Sequence, residues 1–387
     1  MSTTFNVVIV GAGPAGLNAA VHVLKSRTKP SVLLVDKITP WERPIACAEG
    51  VWYEPFNAAV DAKSEWVRFF ISKAVLHSPD GTAITYVEKN KGCIINRALM
   101  QRDMALQCEA MGAEVRCNRK VVEIGLEIDG RRSVRFSDGQ SVTAGVVIDA
   151  SGPVSGFGKR EKISWKPLDL EPAYFAVAEN IPIENDAVHV YLGKGIAPGG
   201  YAWAFPRENG TANAGIVVGK TFGGKVNIRD LLESFLKRDF PKAKVLRYFA
   251  GTIPCESGKA AISAGRLLKA GDAASAINPI SRAGIVEALV SGGLAGDFAL
   301  SMLSAKSQRQ MNIVCKDYGY AWQEKMGKAH GKLSRAKGAL LKVPDGDYDR
   351  AFKVLKGIPQ KKLAMSKIIG LSLGRFPRLV WAIRHLM

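Results

Sequence analysis

Apolar and polar positions along the chain fall into three regimes. In the first, short apolar runs end on glycine or on an acid. Phe5 to Val10 is such a run, stopped by Gly11, as expected for a strand buried on both faces of a parallel sheet. Ala15 to Leu24 carries helix-forming residues, and Ser31 to Val35 predicts a second buried strand closed by Asp36. Val146 to Ile148 predicts another, ending at Asp149-Ala150-Ser151-Gly152. Leu267 to Ala274 repeats the strand-then-glycine pattern and leads to a long apolar helix from Gly284 to Leu303.

Other segments punctuate this regime. Trp41 to Phe56, rich in Pro, Trp and Glu, predicts an ordered loop, and Arg97 to Met111 predicts an amphipathic helix. Short strands to about Phe136 follow, with a hairpin turn at Ser137-Asp138-Gly139. In the second regime, residues 165–255 alternate strand-like runs with turns and predict an antiparallel sheet. After Ser304 the third regime is helical and basic. There Leu340, Phe352, Leu355, Leu363, Ile368, Leu371, Phe376 and Trp381 recur among Lys and Arg.

Composition narrows the class. At 387 residues, 47% of them hydrophobic, the chain is globular and long enough for more than one subdomain. The apolar run near residue 7 lacks a basic leader and feeds a glycine turn, so it reads as a core strand, not a signal peptide. A cytoplasmic protein is expected. The six cysteines, Cys47, Cys93, Cys108, Cys117, Cys255 and Cys315, show neither metal-ligand spacing nor a disulfide framework, so free thiols and no metal are expected. Lys and Arg total 54 against 35 acids, a formal charge of +19. That excess suits an anionic membrane surface, a phosphorylated substrate or an acidic protein. Nucleic acid is not expected, because no binding module accompanies the charge.

The chemistry begins at Gly11-Ala12-Gly13-Pro14-Ala15-Gly16. Gly11 permits the tight turn, Gly13 lets the backbone approach a pyrophosphate, and Gly16 lets helix and strand pack closely, with the helix N-terminus aimed at the phosphates. Asp36 stands where a carboxylate takes the adenosine ribose, with Lys37 beside it. A second motif, Gly271-Asp272-Ala273-Ala274 followed by Pro279, Ala283, Gly284 and Ile285, places an acid for a ribitol hydroxyl and a helix N-terminus for the flavin ring. Together the two motifs point to FAD.

These motifs, with the strand end at Gly152, resemble the two-domain FAD fold of aromatic hydroxylases. The string Pro198-x-x-Tyr201-x-Trp203-x-Phe205-Pro206 and the segment Ala46-Cys47-Ala48-Glu49-Gly50 are similar to those of the geranylgeranyl reductase family. The resemblance implies hydride transfer from reduced FAD to isolated carbon–carbon double bonds of an isoprenoid lipid or prenyl diphosphate. It implies Tyr201 and Cys47 as catalytic candidates, Trp203, Phe205 and Pro198 as substrate contacts, and Arg97, Arg43, Ala15, Ala46, Cys47 and Val121 as further FAD contacts. Two positions depart from the pattern. Ser151-Gly152 replaces the usual Asp-Gly, and Ser281-Arg282-Ala283-Gly284 replaces a Gly-x-Gly. Arg282 thus either meets the flavin pyrimidine edge or faces solvent.

The expected fold is α/β. A Rossmann-like FAD-binding domain spans 1–160 and 256–305, with part of 41–95 reaching the substrate. An antiparallel β-sheet substrate domain spans 161–255, and a basic helical region spans 306–387. The aromatic trio Tyr201, Trp203 and Phe205 shares one strand face, facing either a substrate tunnel or an ordinary core. Cys47 is either beside the flavin or a buried inert thiol. The basic tail suits either an anionic bilayer at the inner face of the cell membrane or a cover over the tunnel. The electron donor is either NAD(P)H or a ferredoxin. A flavin monooxygenase or halogenase on an aromatic substrate is the competing function, although a halogenase is expected to carry Trp and Ile where Tyr201 and Phe205 stand. A flavin-bound lipid carrier is a third. His22, His77, His189, His330 and His385 match no catalytic set.

Overall fold

The structure, a computed structural model, describes residues 3–163, 169–255 and 261–358. β1 (Thr3–Val10) runs through Gly11 into α1 (Pro14–Leu24), and β2 (Val32–Val35) follows. Next come β3 (Gly50–Trp52), α2 (Tyr53–Val60), β4 (Val67–His77), β5 (Ala83–Ile95) and α3 (Arg97–Ala110). β6 (Glu114–Arg116), β7 (Val121–Ile124), β8 (Arg132–Phe136) and β9 (Ser141–Asp149) precede β10 (Leu170–Glu179) and β11 (Ala187–Tyr191). β12 (Tyr201–Pro206), β13 (Thr211–Val217), α4 (Lys220–Gly223), α5 (Ile228–Asp239) and β14 (Lys244–Pro254) come next. β15 (Ser263–Ala264), β16 (Leu267–Lys269) and a 3-10 turn, Gly271–Ala274, lead to α6 (Ile285–Ser304). α7 (Gln308–Trp322), α8 (Lys328–Leu340) and α9 (Asp345–Lys356) complete the described chain.

Two sheets result. The first has a parallel core in the order β16-β9-β1-β2-β6, with β15 on its edge and β8 and β7 extending it from β9. Val7, Val8 and Ile9 are fully buried, which accounts for an apolar run without alternation. α1 and α6 lie side by side on this sheet. A Cβ on Gly292 would sit 2.1 Å from the Ala15 carbonyl oxygen, so a side chain there would force the helices apart. Their close approach sets both N-termini at the carboxyl ends of β1 and β16.

The second sheet runs β14-β10-β13-β12-β11-β4-β5-β3. It departs from the sequence reading in two ways. Three of its strands, β3 to β5, come from residues 50–95, and β11 pairs with β4 in parallel, so the sheet is mixed. The predicted loop over Trp41–Phe56 ends early, because Gly50–Trp52 adds to the edge of β5 and Tyr53 opens α2. Helical structure after Ser304 extends through α9, whereas Leu363, Ile368, Leu371, Phe376 and Trp381 lie outside the described residues. His77 and His189 come together on the second sheet, Nε2 to Nδ1 3.0 Å, stacked with Tyr191. They pack on the face opposite Val188 and Val190, away from the cavity described next.

Candidate active site

One cavity of about 650 Å³ joins the two sheets. Its inner end is built by the glycine turns. Gly11 holds φ +109°, and a Cβ there would lie 2.2 Å from the Ala150 carbonyl oxygen, so β1 and the end of β9 touch through bare backbone. Gly13 differs: a Cβ added to it meets nothing within 4 Å, and with Pro14 and Ala15 it lines the cavity. This is a cradle open to a ligand at a helix N-terminus. The N-terminus of α6, Gly284 and Ile285, opens onto the same cavity, so two positive dipole ends converge there.

Polar groups brace this cradle. Asp36 accepts from the Ala12 amide at 2.8 Å through Oδ2 and from the Ile38 amide at 3.0 Å through Oδ1, tying the glycine turn to the end of β2. Gln101, buried in α3, donates to the Ala12 carbonyl at 3.2 Å and accepts from Arg97 Nε at 2.8 Å. Arg97 thereby opens its helix with its side chain held at the cavity wall. Gln101 carries no sequence signal, being one polar residue in a polar helix. Asp149 and Lys269 form a fully buried ion pair at 3.4 Å, and Asp149 Oδ1 also accepts from the Ser151 hydroxyl at 2.6 Å. That bond is what the serine of Ser151-Gly152 contributes: it holds the segment carrying Gly152, which lines the cavity.

Asp272 faces the cavity from the 3-10 turn, and desolvation pushes its carboxyl up to about 6 against the pull of Arg97. In the first turn of α6, Glu287 is pushed up to about 7, chiefly by desolvation, and its Oε2 is buried without a hydrogen-bond partner.

The outer end is the concave face of the second sheet. Tyr201, Trp203 and Phe205 project from β12 into the cavity, with Phe175, Val188, Val190 and Val217 beside them. The trio therefore lines a cavity wall as well as packing against its own sheet. Trp203 lies across its register partner Gly215, where a Cβ would come within 2.5 Å of the indole. Cys47 and Ala48 line the opposite side, and a Cβ on Gly50 would lie 2.9 Å from the Phe205 ring. The two motifs, far apart in sequence, are thus in contact. The cavity reaches the surface at Trp52 and Tyr86, which are 59% and 45% exposed.

Arg282 does not face solvent. Its Nε meets Glu171 at 2.8 Å, its Nη2 donates to the Gly199 carbonyl at 3.1 Å, and its guanidinium sits 5.2 Å from the Tyr201 ring centre. Lys337 of α8 reaches the same Glu171 at 2.5 Å. Tyr201 donates its hydroxyl to the Ser281 carbonyl. These contacts join the loop before α6 to the aromatic strand. The guanidinium is committed to that joint, and Arg282 is also one of the residues lining the cavity. Burial pushes the Tyr201 hydroxyl up to about 12, so it keeps its proton across the working range.

Ala46, Gly152, Gly271, Ala283 and Gly284 line the cavity, but several sequence candidates do not, Gly11 and Asp36 among them, the latter with both carboxylate oxygens bonded to the Ala12 and Ile38 amides. Arg43 and Lys37 are exposed and do not line the cavity. Val121 is buried in the first sheet, Pro279 is buried without lining the cavity, and Pro198 lies in the turn before β12. Gly16 acts one layer below, its Cα against the Gly11 carbonyl.

A glycine cradle at the carboxyl ends of a parallel sheet, two helix N-termini and an apolar chamber on a second sheet define an FAD-dependent oxidoreductase. The bare approach at Gly13 and the acid at Asp272 fit the dinucleotide. Comparisons agree. Residues 169–253 match the geranylgeranyl reductase catalytic domain, and residues 6–165 match the lycopene cyclase protein family. The digeranylgeranylglycerophospholipid reductase of Methanosarcina mazei is 29% identical over 100% of this chain and 97% of its own. That of Methanocella arvoryzae is also 29% identical, over 98% of each chain. Among solved structures, a geranylgeranyl bacteriochlorophyll reductase-like protein from Thermoplasma acidophilum superposes with a TM-score of 0.87 at 23% identity, covering 100% of both chains. The p-nitrophenol 4-monooxygenase of Pseudomonas putida shares the fold at a TM-score of 0.71 and 16% identity, over 98% of this chain and 99% of its own. The chain is thus similar over its whole length to digeranylgeranylglycerophospholipid reductases, and residues 169–253 match the geranylgeranyl reductase catalytic domain.

Proposed function

We propose that the protein saturates isolated carbon–carbon double bonds in the isoprenoid chains of a membrane lipid, a glycerophospholipid before a free prenyl diphosphate. One observation carries this reading: a single cavity runs from the glycine cradle past Tyr201, Trp203 and Phe205 to the open rim at Trp52. A long apolar chain fits such a tunnel, with its polar end left at the mouth. Bound FAD, once reduced, supplies the hydride equivalent.

The chain's own residues do the rest. An isolated alkene offers no carbonyl to polarise, so rate comes from holding the double bond in place and excluding water. Trp203 and Phe205 give flat apolar walls, and Cys47 closes the opposite side. Tyr201 latches the Ser281 loop to the aromatic strand through its hydroxyl.

The relatives' names support a lipid substrate, and the rim supports a bilayer as its source. Trp52 and Tyr86 flank a bulge of β5, Glu88–Lys91, that carries two lysines. Aromatic rings beside lysines suit the headgroup layer of an anionic leaflet. Among the described residues, α6 alone is long and apolar enough to span a membrane, and 56% of it is buried inside the fold. The attachment proposed is therefore peripheral, at the cytoplasmic face. Electrons come from NAD(P)H or a reduced ferredoxin, and the net charge of +19 favours an acidic carrier.

The test is anaerobic incubation of dithionite-reduced, FAD-loaded protein with geranylgeranylated glycerophospholipid and with geranylgeranyl diphosphate. A gain of two mass units per reduced bond is expected, faster on the lipid. Unchanged masses for both would overturn the reading, and an oxygen-dependent hydroxylated aromatic product would replace it. Sedimentation with phosphatidylglycerol vesicles, weakened several-fold in W52A/K91A, tests the membrane surface.

A further inference from the structure

Asn213 is fully buried in β13, between Ala212 and Ala214, and does not line the cavity. A buried amide is costly unless its groups are bonded, so its partners disclose its role. Its Oδ1 accepts from Trp203 Nε1 at 2.8 Å, and its Nδ2 donates to the Cys47 carbonyl at 2.9 Å. An indole N–H only donates and a carbonyl only accepts, so a single amide orientation satisfies both. One side chain thus joins the aromatic strand to the cysteine segment.

The β12–β13 hairpin grips that segment twice more. Arg207 Nη1 donates to Glu49 Oε2 at 2.6 Å, and Glu49 holds φ +63°, a left-handed conformation that needs outside support in a residue other than glycine. Phe205 closes against Gly50. The Cys47 thiol in turn accepts from the Glu49 amide at 3.3 Å, so its direction depends on this turn.

We propose that Asn213 is a positioning residue for the reduction. It fixes the Cys47 carbonyl and the Trp203 indole to each other, so that thiol and ring form one wall of constant shape against the reacting double bond. The role rests on the reductase reading above, and Asn213 itself touches neither substrate nor cofactor. With no polar handle on the alkene, wall shape sets its approach, and sub-ångström drift of either side lowers the rate.

The experiment uses FAD-loaded full-length protein carrying Asn213→Asp or Asn213→Leu. The aspartate keeps the acceptor for Trp203 but turns an oxygen toward the Cys47 carbonyl. Buried there, it binds a proton more readily than usual, and the protonated acid donates as the amide did. Turnover of N213D on the isoprenoid lipid is expected to fall about 10- to 100-fold at pH 8. It recovers as the pH is lowered, a rise the wild type lacks, while KM stays within about threefold. Alkylation of Cys47 by iodoacetamide, followed by peptide mass, rises several-fold at pH 8 with flavin absorbance retained. N213L loses turnover at every pH. Wild-type turnover by N213D at pH 8, or a loss independent of pH with Cys47 alkylation unchanged, overturns the proposal. If N213L does not fold, the N213D pH profile decides. If the wild type reduces no isoprenoid, the reductase reading fails and the alkylation comparison alone judges the clasp.

Discussion

Replacing Gly13 with alanine separates cofactor binding from folding at a single methyl group. Gly13 has φ −78°, open to any L residue, and its added Cβ meets no protein atom within 4 Å. Alanine lowers the entropy of the unfolded chain, worth roughly 0.4–1 kcal/mol in favour of the fold. At the N-cap of α1 it is a poorer residue than glycine by a similar amount. The two nearly cancel. Unfolding entropy of roughly 2.1 cal/mol/K per residue, over 387 residues, makes 1 kcal/mol worth about 1 °C. The apo protein should therefore melt within about 2 °C of wild type. The methyl does occupy the space into which a pyrophosphate settles on the helix amides. Losing one charge-assisted hydrogen bond there costs roughly 1.5–3 kcal/mol, or about 10- to 150-fold in Kd. Calorimetric titration of both apo proteins with FAD, beside thermal melts without it, reads the two effects apart. FAD affinity unchanged in G13A would refute the cradle assignment, and a fall of 10 °C in the apo melting temperature would show Gly13 to be structural.

Three further outcomes follow from the geometry. Gly50→Ala puts a Cβ 2.9 Å from the Phe205 ring, which must move toward the cavity; about 1 kcal/mol of stability is lost and kcat/KM on a long isoprenoid falls at least several-fold, seen by melting and product mass. Arg282→Met leaves the fully buried Glu171 with Lys337 as its remaining cation and unfastens the Ser281 loop; a loss of about 3 kcal/mol by denaturant titration is expected. Glu287→Gln tests the raised carboxyl. An acid whose folded pKa is raised from 4.5 to about 7 binds more protons folded than unfolded, so it costs stability as pH rises through that window. The apo variant should gain on wild type between pH 5 and pH 8, by up to about 3 kcal/mol at roughly 1.4 kcal/mol per unit, and the two should converge at low pH. A gap that widens toward acid would contradict the burial argument.

Much of the cofactor end was legible because it is local. Gly11, Gly13 and Asp36 lie within one βαβ unit, where strand, turn and helix fix their relation over a few residues. The aromatic face of β12 was legible too, since alternation along a strand is a property of the backbone. What the sequence alone did not decide is everything that depends on two distant segments meeting. Arg43 and Lys37 carried the right charge at a plausible spacing, yet the loop and strand end that bear them turn to solvent. Arg282 read as either a flavin contact or a surface cation, and the surface reading falls because its guanidinium is buried against Glu171 of β10 and the Gly199 carbonyl before β12. Gln101, Glu171 and Asn213 gave no signal, for a polar residue in a helix or strand looks alike whether it faces water or a buried partner. The fold class and the kind of ligand followed from motifs that are short-range by physics. The tunnel, the loop latch and the Cys47–Trp203 wall exist only once the second sheet recruits residues 50–95 and closes against the first.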